Sequence, residues 1–152
     1  MKRCLVDVNV WLALLVRQHE HHSLANQWFD ALPAGEAGVC RLVQLALIRL
    51  LANRSVMGAY AVSAAVAWGL VERLLQDERI ELLAEPAEID SVLPSLLNYP
   101  IPTGKLVSDA YLAAFAICAS RQLVTLDRGF RQFRGLNVQL LGHSVSPKPR
   151  RR

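Results

Sequence analysis

The chain has 152 residues, 53% of them apolar and 20% charged, with 14 Arg among its 17 cations and a net charge of +4. That length and apolar share suit one domain with a buried core and exclude an intrinsically disordered chain. The modest, Arg-based excess fits a polyanionic partner such as RNA, to which Arg offers a planar fork, and fits an ordinary basic protein equally well.

Lys2 and Arg3 followed by an apolar run imitate a secretory leader, but Asp7 and Asn9 interrupt it and no small-x-small cleavage site follows. The expectation is a cytoplasmic protein with no membrane association. Cys4–Asp7 reads as a strand and Val10–Arg17 as a helix. QHEHH (18–22) lacks the i, i+4 histidine pair of a zinc-binding helix and reads as a solvated helix start with one packing His. A helix over His22–Ala31 follows, closed by Pro33 and Gly35, then a strand at Ala37–Cys40. Leu42–Asn53 is apolar nearly all round and reads as a buried helix. The uncharged stretch Val56–Val71 is too short and too rich in Ala, Gly and Ser for a membrane span.

Further on come a helix at Ala61–Gln76, a strand at Ile80–Ala84, and a helix from Pro86 to Asn98 before a loop at Pro100 and Pro102. A helix at Ser108–Ser120 precedes strands at Gln122–Leu126 and Val138–Leu141. Strands alternating with helices predict a parallel sheet covered on both faces. Residues 1–143 read as one domain and 144–152 as a basic, disordered tail. The cysteines Cys4, Cys40 and Cys118 have neither disulfide nor zinc spacing and read as reduced thiols.

Two of the predicted strands end in an aspartate, Asp7 and Asp127. In open α/β sheets, sites form outside the carboxyl ends of the strands. Asp109 opens the helix before the second of these strands, and about 12 helical residues at roughly 1.5 Å carry the chain about 18 Å. A strand of similar length, at about 3.3 Å per residue, brings it back, so Asp109 and Asp127 are predicted at one end. Three clustered carboxylates repel unless a cation compensates, and oxygen donors without His or Cys favour Mg²⁺ or Mn²⁺. Read singly, Asp7 is a helix cap, Asp109 a helix-start acid and Asp127 a turn residue.

VDVNVWLALL near the start, LVQLALIRLLAN in the middle and SDAYLAAFAICASRQLVTLDRGF near the end resemble the PIN-domain ribonuclease toxins of VapBC toxin–antitoxin systems. The resemblance includes the pattern Thr125-x-Asp127-x-x-Phe130 and implies a three-layer α/β/α sandwich with a short parallel sheet. It implies a Mg²⁺- or Mn²⁺-dependent endoribonuclease acting on tRNA, rRNA or mRNA and arresting translation, a cognate antitoxin and a homodimer. Carried over, Asp7, Asp109 and Asp127 hold the metal and carry catalysis, with Asn9, Thr125, Gln44 and Ser108 in support. Gln44 stands where the family commonly has Glu, which removes one negative charge. Arg128, in RGFRQFR (128–134), is a candidate RNA contact, while Phe130 and Phe133 read as core. The alternatives are a catalytically weak PIN-type RNA- or protein-binding module and a phosphotransfer domain. Against the second, the first strand ends in DVN rather than D-x-D, and Lys105 falls in a loop ahead of Asp109.

Overall fold

A computed structural model describes residues 3–98 and 104–142; the basic tail and the proline loop lie outside the described residues. Five strands form one sheet: β1 (Cys4–Val6), β2 (Ala37–Cys40), β3 (Ile80–Leu83), β4 (Gln122–Thr125) and β5 (Val138–Leu140). Their order is β3-β2-β1-β4-β5, and every adjacent pair is parallel. β1 consists of three residues buried on both sides, as a central parallel strand requires.

The helices among the described residues are α1 (Val8–Leu15), α2 (His22–Asp30), α3 (Arg41–Leu51), α4 (Arg54–Met57), α5 (Ala64–Leu74), α6 (Ile89–Leu97) and α7 (Gly104–Cys118). The chain steps from β1 outward to β3, then crosses to β4 on the other side of β1 and continues to β5. Right-handed crossovers in opposite directions put the two sets of helices on opposite faces. Accordingly α1 packs on α2 and α3, α3 on α5, and α6 on α7. The result is the three-layer α/β/α sandwich.

Trp11 of α1 is fully buried, donates its indole N–H to the Val6 carbonyl at 3.1 Å, and meets Phe29 of α2 edge-on at 6.0 Å. His22 is the packing histidine: its ring Nδ1 lies 2.7 Å from the Ala13 carbonyl, tying α2 to α1. At the amino edge of the sheet, Arg121 bonds the Cys4 carbonyl at 3.3 Å and Glu81 at 2.8 Å, so one guanidinium links the start of β4 to β1 and β3.

Several boundaries differ from the sequence reading. Asn53 caps a separate short helix, α4, by accepting the Ser55 N–H at 2.8 Å, and Gly58 turns the chain at φ +56°. α5 therefore starts only after Ser63 caps it. α3 is not buried all round: Val43, Gln44, Leu47 and Leu51 face inward, whereas Leu45 is 50% exposed. α7 begins at Gly104, so Lys105 lies in its first turn rather than in a loop. α6 keeps Pro94 inside it. Among the described residues no single helix is long and apolar enough to cross a membrane.

Gly38 of β2 sits where a Cβ would come within 2.7 Å of the Cys4 carbonyl oxygen and 2.4 Å of Leu83. Gly38→Ala should therefore destabilise the fold by about 1–3 kcal/mol in urea unfolding. Gly69, in the middle of α5 with no neighbour within 4 Å, gives the opposite expectation: Gly69→Ala should stabilise by about 0.5–1 kcal/mol.

Candidate active site

The strand order reverses between β1 and β4, and the crevice outside their carboxyl ends is where an open parallel sheet binds ligands. Asp7 follows β1 directly and caps α1, its backbone extended at φ −70°, ψ 154°. The residue is 6% exposed. Its Oδ1 accepts the Val8 N–H and its Oδ2 accepts the Thr125 hydroxyl, each at 2.7 Å. The cap reading of Asp7 is thus realised, and it does not account for the other groups gathered around it.

Thr125, the last residue of β4, is fully buried. Its hydroxyl oxygen accepts the Asp127 N–H at 3.0 Å and an Asn9 amide hydrogen at 3.2 Å. With both lone pairs occupied, its one proton goes to Asp7. Asn9 in turn accepts the Leu126 N–H at 3.2 Å, so one amide joins α1 to the end of β4. Asp127 closes the turn by accepting the Gly129 N–H at 2.8 Å.

Asp7, Asp109 and Asp127 interact electrostatically with one another, and Lys105 acts on all three. The Lys105 ammonium lies 2.6 Å from Asp127 Oδ2. That contact, helped by the Gly129 N–H, holds the Asp127 carboxyl below the usual range. Asp109, on the first part of α7, is pushed up to about 6, chiefly by burial, with Asp7 and Asp127 adding to the rise and Lys105 opposing it. Burial likewise raises Asp7, against the bonds from Thr125 and Val8. The Lys105 ammonium is committed to one carboxylate, and the other two keep the cost of crowding. Among the described residues no three Asp, Glu, His or Cys side chains are arranged to hold one ion together. Asp7 has both oxygens engaged, and Asp127 is turned to Lys105. In chemistry, though, the set fits a hard divalent ion: three carboxylates, no soft donor, and a surplus of negative charge.

The remaining sequence candidates fall elsewhere. The buried Gln44 accepts from Arg41, one turn back on α3, at 2.5 Å. It lines a cleft of about 540 Å³ with Arg41, Trp68, Glu72, Arg73 and Leu82. Among the described residues no hydrogen bond joins Gln44 or Ser108 to the three carboxylates, and Ser108 is exposed on α7. Arg128 is exposed in the 3₁₀ turn Arg128–Gln132, immediately after Asp127. Phe130 and Phe133 beneath it are buried, as their spacing predicts. Lys105 is the participant that the sequence reading missed. Its signal is the i, i+4 spacing to Asp109, which counts only once the helix is extended back to Gly104.

Comparison with known proteins agrees with this fold. The PIN domain family model matches residues 4–136. Ribonuclease VapC41 of Mycobacterium tuberculosis is 39% identical over 142 residues, covering 90% of this chain and 97% of that one. Ribonuclease VapC29 of the same organism is 32% identical over 132 residues, covering 86% and 90%. Among solved structures, DNA-bound VapBC from Salmonella typhimurium aligns with a TM-score of 0.65 at 17% identity, covering 91% of this chain and 98% of that one. Mycobacterium tuberculosis VapC20, described as a sarcin–ricin loop cleaving toxin, aligns at 0.60 and 22%, covering 84% and 92%. At those identities the structural likeness speaks for the fold.

Two outcomes follow from the site. Thr125→Val leaves Asp7 Oδ2, the Asp127 N–H and the Asn9 amide each without a partner and should cost about 2–4 kcal/mol in urea unfolding. The pH dependence in EDTA has a definite sign. Asp109 goes from 3.8 in the unfolded chain to about 6 when folded, so the folded state binds the extra proton. Its contribution is present below pH 3.8 and is lost as pH rises through about 6. Asp109→Asn should flatten that part of the stability–pH curve and stabilise the metal-free protein at pH 7.5.

Proposed function

The chain belongs to the PIN-domain family, and from that premise we propose that it is a divalent-metal-dependent endoribonuclease, the toxin of a toxin–antitoxin module. The observation that carries the reading is the joint placement of Asp7, Asp109 and Asp127 at the switch point of the sheet, in mutual repulsion that one ammonium only partly relieves. The similarity to ribonucleases VapC41 and VapC29 supports RNA as the substrate, and the VapBC complexes among the structural neighbours support an antitoxin partner.

Asp7, Asp109 and Asp127 would hold Mg²⁺ or Mn²⁺. When bound, such an ion activates water and stabilises charge on a phosphodiester undergoing in-line attack. The chain's own residues do the positioning. Thr125 and Asn9 fix Asp7 relative to the end of β4. Capping of α1 ties Asp7 Oδ1 to the Val8 N–H. Arg128, exposed at the rim, would take an RNA phosphate and orient the backbone for cleavage to a 5′-phosphate product. We place residues 1–143 in one domain, active in the cytoplasm on tRNA, rRNA or mRNA with arrest of translation. A homodimer and an antitoxin would cover the apolar side chains exposed on α3 and α5: Leu45, Val66 and Trp68.

The second reading, a binding module with weak or no catalysis, draws on Gln44. With its carbonyl oxygen taken by Arg41, position 44 supplies no donor to the three carboxylates.

Purified protein incubated with total tRNA and rRNA should give discrete products with Mg²⁺ or Mn²⁺ and none with EDTA. Asp7→Asn should reduce the rate by about 10²–10³. Intact RNA under all conditions, from folded protein free of antitoxin, would move the assignment to the binding module. Gln44→Glu should leave Mn²⁺ affinity unchanged, since the new carboxylate would meet Arg41; a gain in affinity would bring position 44 into the metal site.

A further inference from the structure

We infer that Lys105 is the resident counter-ion of the acidic site, and that its ammonium and a divalent ion exclude each other at Asp127. The inference rests on the metal-site reading above and goes beyond it by naming what the ion must displace.

Three features of this chain carry it. Lys105 Nζ is 2.6 Å from Asp127 Oδ2, a full charge-assisted contact rather than a neighbouring charge. Lys105 is anchored on the first turn of α7, four residues before Asp109 and therefore on the same helix face. Its charge thus reaches Asp109 and Asp7 as well. The lysine side chain is 70% exposed while that of Asp127 is 28% exposed, so the lysine can swing away without giving up packing. One positive charge among three carboxylates relieves part of the repulsion but leaves Asp7 and Asp109 crowded. A divalent ion on the same oxygens would supply twice the charge. An ammonium in contact with Asp127 and a cation on the same carboxylate repel each other and compete for the same lone pairs. Metal affinity is therefore set partly by the cost of breaking the Lys105–Asp127 pair. A group that draws the lysine away, such as the phosphate of a bound polyanion, would tighten metal binding, and by reciprocity the metal would tighten polyanion binding.

The test is Mn²⁺ binding, followed by the electron paramagnetic resonance signal of the free ion and by calorimetry, on the full chain without RNA. It compares wild type, Lys105→Met, Lys105→Arg, Asp127→Asn and the double variant with Met at 105 and Asn at 127. Lys105→Met should bind Mn²⁺ about five- to tenfold more tightly than wild type, the scale of a mostly exposed ion pair plus the removed cation repulsion. Lys105→Arg, which keeps the charge, should stay within about twofold of wild type. In the Asp127→Asn background the Met substitution should lose most of its effect, because the contact it relieves is already gone. Equal or weaker Mn²⁺ binding by Lys105→Met would overturn the inference and leave the metal site standing. So would a gain of the same size in the Asp127→Asn background, which would make Lys105 a distant charge. No Mn²⁺ uptake by any of the proteins would overturn both the inference and the metal-site reading.

Discussion

The Thr125 hydroxyl is the point on which the site is hung. It has one proton and two lone pairs, and all three are committed: to Asp7, to the Asp127 N–H and to Asn9. Those partners belong to the end of β1, the turn after β4 and the first turn of α1. A buried hydroxyl with every valence used fixes its neighbours in angle as well as distance. Without it, a buried carboxylate at the end of a central strand would be an unpaired charge in an apolar layer. With it, Asp7 keeps both oxygens bonded, and the chain can carry an acid directly after the buried strand β1.

The two edges of the sheet follow opposite electrostatic rules. At the amino edge, Arg121 meets Glu81 and the Cys4 carbonyl, and on the same side of the molecule Arg79 meets Asp77 at 2.7 Å while lying 4.0 Å over the Phe29 ring. Arg121 and Arg79 are each paired there and hold strands and helices together. At the carboxyl edge three like charges are collected with one ammonium among them. The fold holds those like charges together, so whatever relieves their crowding binds a site already under strain.

Much of this was legible in the residues. Four of the five strands announce themselves as short runs rich in Val, Leu and Ile, β2 (AGVC) being the exception, and the Asp at the end of CLVD and LVTLD points to the carboxyl edge before any topology is known. What was not legible depended on choices made between neighbours. The four-residue α4 exists because Asn53 caps it and Gly58 ends it, signals too short to stand out from a loop. α7 starts early, just beyond two prolines, at a glycine that no helix propensity favours. That single difference hid Lys105. Gln44 could face either the carboxylates or Arg41, and only the side-chain arrangement decides it. Leu45 and Trp68 are apolar yet exposed, and no periodicity distinguishes an outward-facing apolar residue from a core one.

The pairing of β1 with β4 joins residues 4–6 to residues 122–124. A chain is made from its amino end, so β1 exists well before the strand that pairs beside it. Until then Thr125 and Asp127 do not exist, Asp7 has no hydroxyl to hold it, and no partial product can assemble the site. The order of strands in the sheet makes the site a late product of the chain, set by the length of sequence between the first aspartate and the last.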